Sequence, residues 1–119
     1  MITIFDKKGF HVIAQVEAPA LRGACLAGMA LRDANLVQCD LSGADLSGVD
    51  FTGADLRLVN FSGADLRGAN LTDANLYGAV LTGARFDGAV LKGAYFSASS
   101  LKALDLSSLD VSAIEIGPD

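Results

Sequence analysis

From Leu21 to Leu106, every fifth residue is Leu or Phe, without a break. The phase continues more loosely to Val111 and Ile116. A period of five fits neither a helix at 3.6 residues per turn nor a strand at 2. It fits a chain that takes one short extended step, turns a corner and repeats. The neighbouring positions keep the same beat. A small residue stands two before the Leu/Phe, as in Ala24, Ala34, Ala44, Ala54 and Ala64. Asn or Asp stands one before it, as in Asn35, Asp45, Asp55, Asp65 and Asn75. Gly stands two after it, as in Gly23, Gly43, Gly53, Gly63 and Gly83.

Each position has a physical reading. The Leu/Phe and the small residue point inward, and the other three point out. Gly at so fixed a phase marks a backbone site with positive φ, the second central residue of a type II turn. Asn and Asp beside that turn can bond their own backbone. Asp33, Gln38, Leu58 and Asp73 replace Gly in this phase. Those corners are expected to adopt a different turn, or to tolerate the left-handed conformation through Asp.

Stretches such as Ala44-Asp45-Leu46-Ser47-Gly48 and Ala69-Asn70-Leu71-Thr72-Asp73 resemble the pentapeptide-repeat family, A-(D/N)-L-X-X. The resemblance covers roughly residues 19 to 116. It implies an all-β fold: a right-handed quadrilateral β-helix, a solenoid with four repeats per coil and about five coils here. Independent support for four sides comes from the small inward positions. Met29 and Val49, and Cys39 and Val59, alternate with Ala columns at a period of ten, which four sides accommodate and three do not.

The two ends depart from the lattice. Residues 1–17 carry β-prone Ile2–Phe5 and Phe10–Val16 around a turn signal, Asp6-Lys7-Lys8-Gly9. They are expected to form an N-terminal β-hairpin cap on a β-helix of residues 18–119. At the other end the small inward position becomes large, at Leu104, Leu109 and Ile114, and only Gly117-Pro118-Asp119 follow the lattice. This resembles family members that dimerise through an apolar C-terminal coil. Leu104, Leu106, Leu109, Val111, Ile114 and Ile116 are therefore a candidate homodimer interface. The alternative is that these side chains only plug the end of a monomer.

No constellation suggests an enzyme. Ser and Thr follow the Leu/Phe as repeat filler, without a His or Lys placed to activate them. The Asp residues follow the repeat, which explains them as turn-bonding and solvating groups. The spacing of five excludes phosphate-binding glycine motifs and the calcium-binding nonapeptide pattern. Stacked Asp45 and Asp65 are too few carboxylates for a cation site. His11 is read as a strand residue. Cys39 is read as core, and Cys25 as an outward thiol without a partner motif. No cofactor is expected. With no apolar stretch of membrane-spanning length and no signal-like start, a cytoplasmic location is expected, and the family suggests a bacterial source.

The expected role is protein interaction or scaffolding. Some family members protect or inhibit DNA gyrase as rod-shaped mimics of duplex DNA, so inhibition of a topoisomerase is the alternative. Mimicry needs an acidic stripe, and the net charge is −5. Two sides of the expected rod carry four acids against two bases each, one carries two against one, and one carries one against two. No side is a polyanion, and neither nucleic acid nor membrane is an expected partner. One surface feature stands apart. The Asn/Asp position becomes Val80, Arg85, Val90 and Tyr95 in succession, which rings the rod once. With Tyr77 this forms a candidate partner belt.

Overall fold

The computed structural model describes residues 1–119. Its organising contact is a parallel pairing between residues twenty apart: Asp45 with Asp65, Asp50 with Asn70, Asp55 with Asn75, and Asn60 with Val80. From Cys25 to Asn60 such pairings link every side to the coil that follows, four per twenty residues. Each is minimal, because the chain is extended for only a residue or two before it turns. The Leu66 amide donates upward to Arg85 O at 2.7 Å, and the Asp65 amide donates downward to Ala44 O at 2.9 Å.

The corners are type II turns. Ala64 N donates to Phe61 O at 2.9 Å across Gly63, whose φ is 66°. The corner glycine also joins the ladder, as Gly63 N donates to Thr82 O at 2.9 Å. Asx bonding then locks the approach to the corner. Asn60 Oδ1 accepts from the Ser62 amide at 2.9 Å and from its hydroxyl at 2.6 Å. The Ser and Thr after the Leu/Phe thus bond the Asx side chain and are more than filler.

Asp33, Gln38, Leu58 and Asp73 do not change the turn. All four adopt the left-handed conformation, with φ between 58° and 62°. This corrects the expectation for Gln38 and Leu58, whose side chains offer no special tolerance of that region. Stacked corners above and below impose the conformation. For Asp33, Leu58 and Asp73 space comes from a glycine one coil on: a Cβ at Gly53 or Gly93 would strike the carboxylate of Asp33 or Asp73, and one at Gly78 would lie 2.6 Å from Leu58 Cδ2. Gln38 is followed one coil on by Leu58 itself.

Inside, Leu41, Leu46, Phe51, Leu56, Phe61, Leu66, Leu71 and Leu76 have no exposed surface. Phe51 and Phe61 meet edge to face at 6.4 Å between ring centroids, a favoured aromatic arrangement. Such full burial stabilises each large side chain by about 1.5–3 kcal/mol.

At the N-terminal end β1 (Ile2–Phe5) and β2 (Val12–Val16) pair antiparallel. Ile4 and Val16 enter the core. The hairpin also takes up backbone groups on one side of the first coil: Lys7 N donates to Asp33 O at 2.8 Å, and Asn35 N to Phe5 O at 2.8 Å. Further along, β3 (Asn75–Leu76), β4 (Tyr95–Ser97) and β5 (Glu115–Gly117) form a parallel sheet in that order. A single helical turn, α1 (Ala98–Leu101), follows β4 directly. The molecule measures 36 × 26 × 22 Å. No helix is long and apolar enough to cross a membrane.

Candidate interaction surfaces

The regular stacking stops at residue 98. The corner phase there is held by Ala98, Ala103, Ser108 and Ala113, none with positive φ. Their turns still close, as in Leu104 N to Leu101 O at 3.1 Å and Leu109 N to Leu106 O at 3.2 Å. The Asp105 and Asp110 amides make no bond to Ala84 O and Ala89 O, however, whereas those of Asp65 and Asn70 bond Ala44 O and Val49 O. The consequence lies one coil below. Leu81, Phe86 and Leu91 have no hydrogen-bond partner for their amides, whereas Phe61, Leu66 and Leu71 bond Val80, Arg85 and Val90.

Stacking returns only on the side of β4 and β5, where Tyr95 pairs with Glu115 and Phe96 with Ile116. On one open side a hydroxyl substitutes for the missing ladder. Ser100 Oγ, buried, donates to Ala79 O at 2.7 Å, and lies 2.8 Å from Ser97 Oγ. Two clefts mark the separation. One, of about 350 Å³, lies between Ala89–Lys92 and Asp110–Ala113. The other, of about 260 Å³, lies between Gly78–Thr82 and Ser99–Ala103.

The candidate interface residues fall in this loosened segment. Leu104, Leu106, Leu109, Val111 and Ile114 are half-buried. Ile116 keeps its register, paired with Phe96 twenty residues earlier, yet is 57% exposed. The segment's rim is acidic, with exposed Asp105, Asp110, Glu115 and Asp119 against Lys102.

The belt residues do not make one surface. Val80, Arg85, Val90 and Tyr95 take four successive sides. Val80 and Val90 are 45% and 47% exposed and line separate clefts. Arg85 pairs with Asp87 at 3.0 Å. Only Tyr77 and Tyr95 come together, stacked at 5.6 Å with an 18° interplanar angle. The Tyr77 hydroxyl donates to Pro118 O, and the Ser99 amide donates to Asp119 Oδ1 at 2.9 Å. This aromatic pair anchors the terminal residues.

The acidic groups are largely engaged with the chain itself. Arg57 forks onto Asp55 at 2.8 and 2.7 Å, and Arg67 onto Asp65 at 2.9 and 2.7 Å. The Arg67 hydrogen bonds hold the Asp65 carboxyl down at about 2. Hydrogen bonds from Ser47 lower Asp45, and those from Thr52 lower Asp50. Cys25 is exposed, and Cys39 is half-buried, its thiol pushed up by burial. His11 Nδ1 lies 2.9 Å from Asp6 Oδ2. No group of three potential metal ligands occurs.

The hairpin has an apolar outer face that alternation along β1 and β2 could have indicated. Ile4 points in, so Phe5 points out, opposite Val12. Phe5 is 44%, Val12 52% and the adjoining Phe10 79% exposed. Lys7 and Lys8 share this loop, while its carboxylate, Asp6, turns inward to accept from the Phe10 amide at 2.9 Å.

Comparison with known proteins agrees with this geometry. The profile of the family described as pentapeptide repeats matches eight copies, over residues 20–53, 34–73 and 69–111. A crystal structure of the pentapeptide repeat protein Rfr23, from the cyanobacterium Cyanothece 51142, is 40% identical with a TM-score of 0.61, over 62% of this chain and 50% of that one. QnrB1, a plasmid-mediated fluoroquinolone resistance protein, in a trypsin-treated R167E form, is 27% identical with a TM-score of 0.51, over 82% of this chain and 54% of that one. The chain thus spans about half the length of these two structures. No curated protein matches it significantly. With a five-residue lattice, parallel stacking and a family profile that agree, this chain belongs to the pentapeptide-repeat family and folds as a right-handed β-helix.

Proposed function

We propose that the chain is a non-enzymatic interaction protein: a four-sided rod of about five coils, with residues 1–17 as a cap and its binding surface at the C-terminal end. The observation that carries this reading is the loosened coil after residue 98. There, apolar side chains that the lattice directs inward stay half-buried, above a coil edge with free amides. Exposed strand edges and apolar patches favour association. The occupant is another protein or a second copy of the chain. Two unpaired thiols suit a reducing, cytoplasmic setting.

A second reading, inhibition or protection of DNA gyrase or another topoisomerase, takes its support from the likeness to a fluoroquinolone resistance protein. The electrostatics favour it less, since Arg57 and Arg67 neutralise carboxylates that a DNA mimic would display. A supercoiling assay separates the two. Interaction through the C-terminal end leaves gyrase activity unchanged, and recovery of a partner from host extract falls with Ile116→Asp. Inhibition or drug protection of gyrase by the wild-type chain would establish the second reading instead.

A further inference from the structure

We infer that the side of the rod built on Leu36, Leu56 and Leu76 is a self-association face, against which a second copy packs lengthwise with its axis reversed. The contact runs along the rod and is separate from the C-terminal coil.

This side differs from the other three. Between residues 20 and 79 the outward positions of those three carry only Ala, Cys, Gly, Ser, Thr, Asn, Asp and Arg. The fourth carries Val37, Leu58 and Tyr77 on successive coils. The strip continues at both ends. Phe5 lies beneath Asn35, whose amide donates to the Phe5 carbonyl, and Tyr95 pairs with Asn75 and stacks on Tyr77. Five apolar or aromatic side chains thus climb one side in four steps of ~4.8 Å. Phe5 and Leu58 are 44% and 51% exposed, and the other three are half-buried. Leu58 is the clearest sign of use. It holds a φ of 61° in a phase where Gly is the rule, a conformation unfavourable to Leu. Its side chain leans over Gly78, half in water, and adds nothing to the core. Strained positions that the core does not require cluster at functional contacts.

A second copy matches this strip in spacing, in polarity and in area. It presents the same side chains at the same step on an equally straight side. With the rods antiparallel and a two-fold axis at the level of Leu58, each Leu58 meets its counterpart, Val37 meets Tyr77, and Phe5 meets Tyr95. Apolar groups then face apolar groups at every level, and the isologous contact closes at a dimer. Asn35, Gln38 and Asn75 flank the strip, in the manner of the polar rim around an interface core. The side brings no net charge to the axis, because Asp55 and Arg57 are forked onto each other. Lys7 and Asp33, at the adjoining corner, also pair with each other, and Glu115 lies one coil beyond the strip. A lengthwise face of 36 × 22 Å offers roughly 800 Å² per copy, the size of a standard interface.

The test is sedimentation equilibrium of the full chain up to high micromolar concentration, beside a double variant, Val37→Ser with Leu58→Gly. Both replacements are residues that the same phases carry on the other sides, and the new Ser can bond Asn35 as Ser62 bonds Asn60. The variant should therefore keep its fold, which circular dichroism checks. The wild-type mass should rise with concentration and stop at the dimer. The double variant should associate about tenfold or more weakly, as when central apolar contacts of an interface are removed. Wild-type association should persist at ~1 M salt, where screening acts within ~3 Å, because no charge pair carries it. A folded double variant that dimerises like wild type overturns the proposal. So does loss of dimer with Ile116→Asp alone, which would move the contact to the C-terminal end and favour the reading given above. A wild type that stays monomeric at every concentration overturns self-association and leaves the C-terminal reading to partner recovery.

Discussion

Residues 60–79 and residues 100–116 share one five-residue phase and have different structures. In the first stretch Phe61, Leu66, Leu71 and Leu76 are fully buried, and Phe61, Leu66 and Leu71 donate their amides to the coil above. In the second, Leu106 and Val111 are half-buried, and the coil below is left with free amides at Leu81, Phe86 and Leu91. The apolar beat is therefore insufficient for stacking. What differs is the corner: residues 63 and 68 are Gly with positive φ, whereas 103 and 108 are Ala and Ser without it. Inward periodicity builds the core, and the left-handed corner connects one coil to the next.

The largest test of that contrast is in the core. Leu66→Ala should cost about 2–5 kcal/mol, as for other large-to-small changes at fully buried sites. Leu106→Ala should cost under about 1 kcal/mol, because its side chain is already partly hydrated. Urea unfolding measures both, and equal losses would erase the distinction between the two regions.

A smaller effect is expected from acid. Arg67 holds the Asp65 carboxyl at about 2, below its ordinary value near 3.8. A carboxylate lowered by folding adds stability that is complete above the unfolded value and is lost as pH falls through the folded one. The melting temperature should thus decline between about pH 4 and pH 2. Asp65→Asn keeps an acceptor for the Arg67 amide and removes the titration, so its decline should be shallower. The same exchange at Asp105, held down only by Ser107, should change the slope little. An unchanged slope in Asp65→Asn would place the acid sensitivity elsewhere.

The smallest effect in stability, though a sharp one in structure, concerns the corners. Replacing Ala103, Ser108 and Ala113 with Gly should let the last coil adopt left-handed corners and dock. Amide exchange at Leu81, Phe86 and Leu91 should then slow toward that of Phe61, Leu66 and Leu71. Global stability should shift by only about 1 kcal/mol, since added glycines raise the entropy cost of folding. Unchanged exchange at those three amides would show that the corner residues do not cause the separation.

The sequence carried much of this in plain view. Inward Leu66 and Phe61, the Gly corners and the Asx bonds all follow from a single short repeat, where every local choice recurs. The end of the Gly phase at Gly93 was equally readable, and is the signal that marks the loosened coil. Leu58 and Gln38 were not legible as left-handed corners, because their conformation is set by stacked neighbours twenty residues away. The one-turn helix at Ala98–Leu101 rests on the buried Ser100 hydroxyl reaching Ala79, a contact no local pattern announces. The ring made by Val80, Arg85, Val90 and Tyr95 was readable from the repeat; that only Tyr77 and Tyr95 meet, stacked at 5.6 Å, was not.

The stacked corners also constrain how such a chain can change length over time. Asp33 leans over Gly53, Leu58 over Gly78, and Asp73 over Gly93. Loss or gain of one five-residue unit would leave the local rhythm intact and rotate everything beyond it by a quarter coil. Side chains that now overlie glycine would then meet occupied corners. Insertions or deletions of twenty residues preserve every column, so growth of the rod by whole coils is far less disruptive than growth by single repeats. Paired substitutions should accordingly appear at a separation of twenty, as Gln38 and Leu58 already show, both left-handed corners in one column.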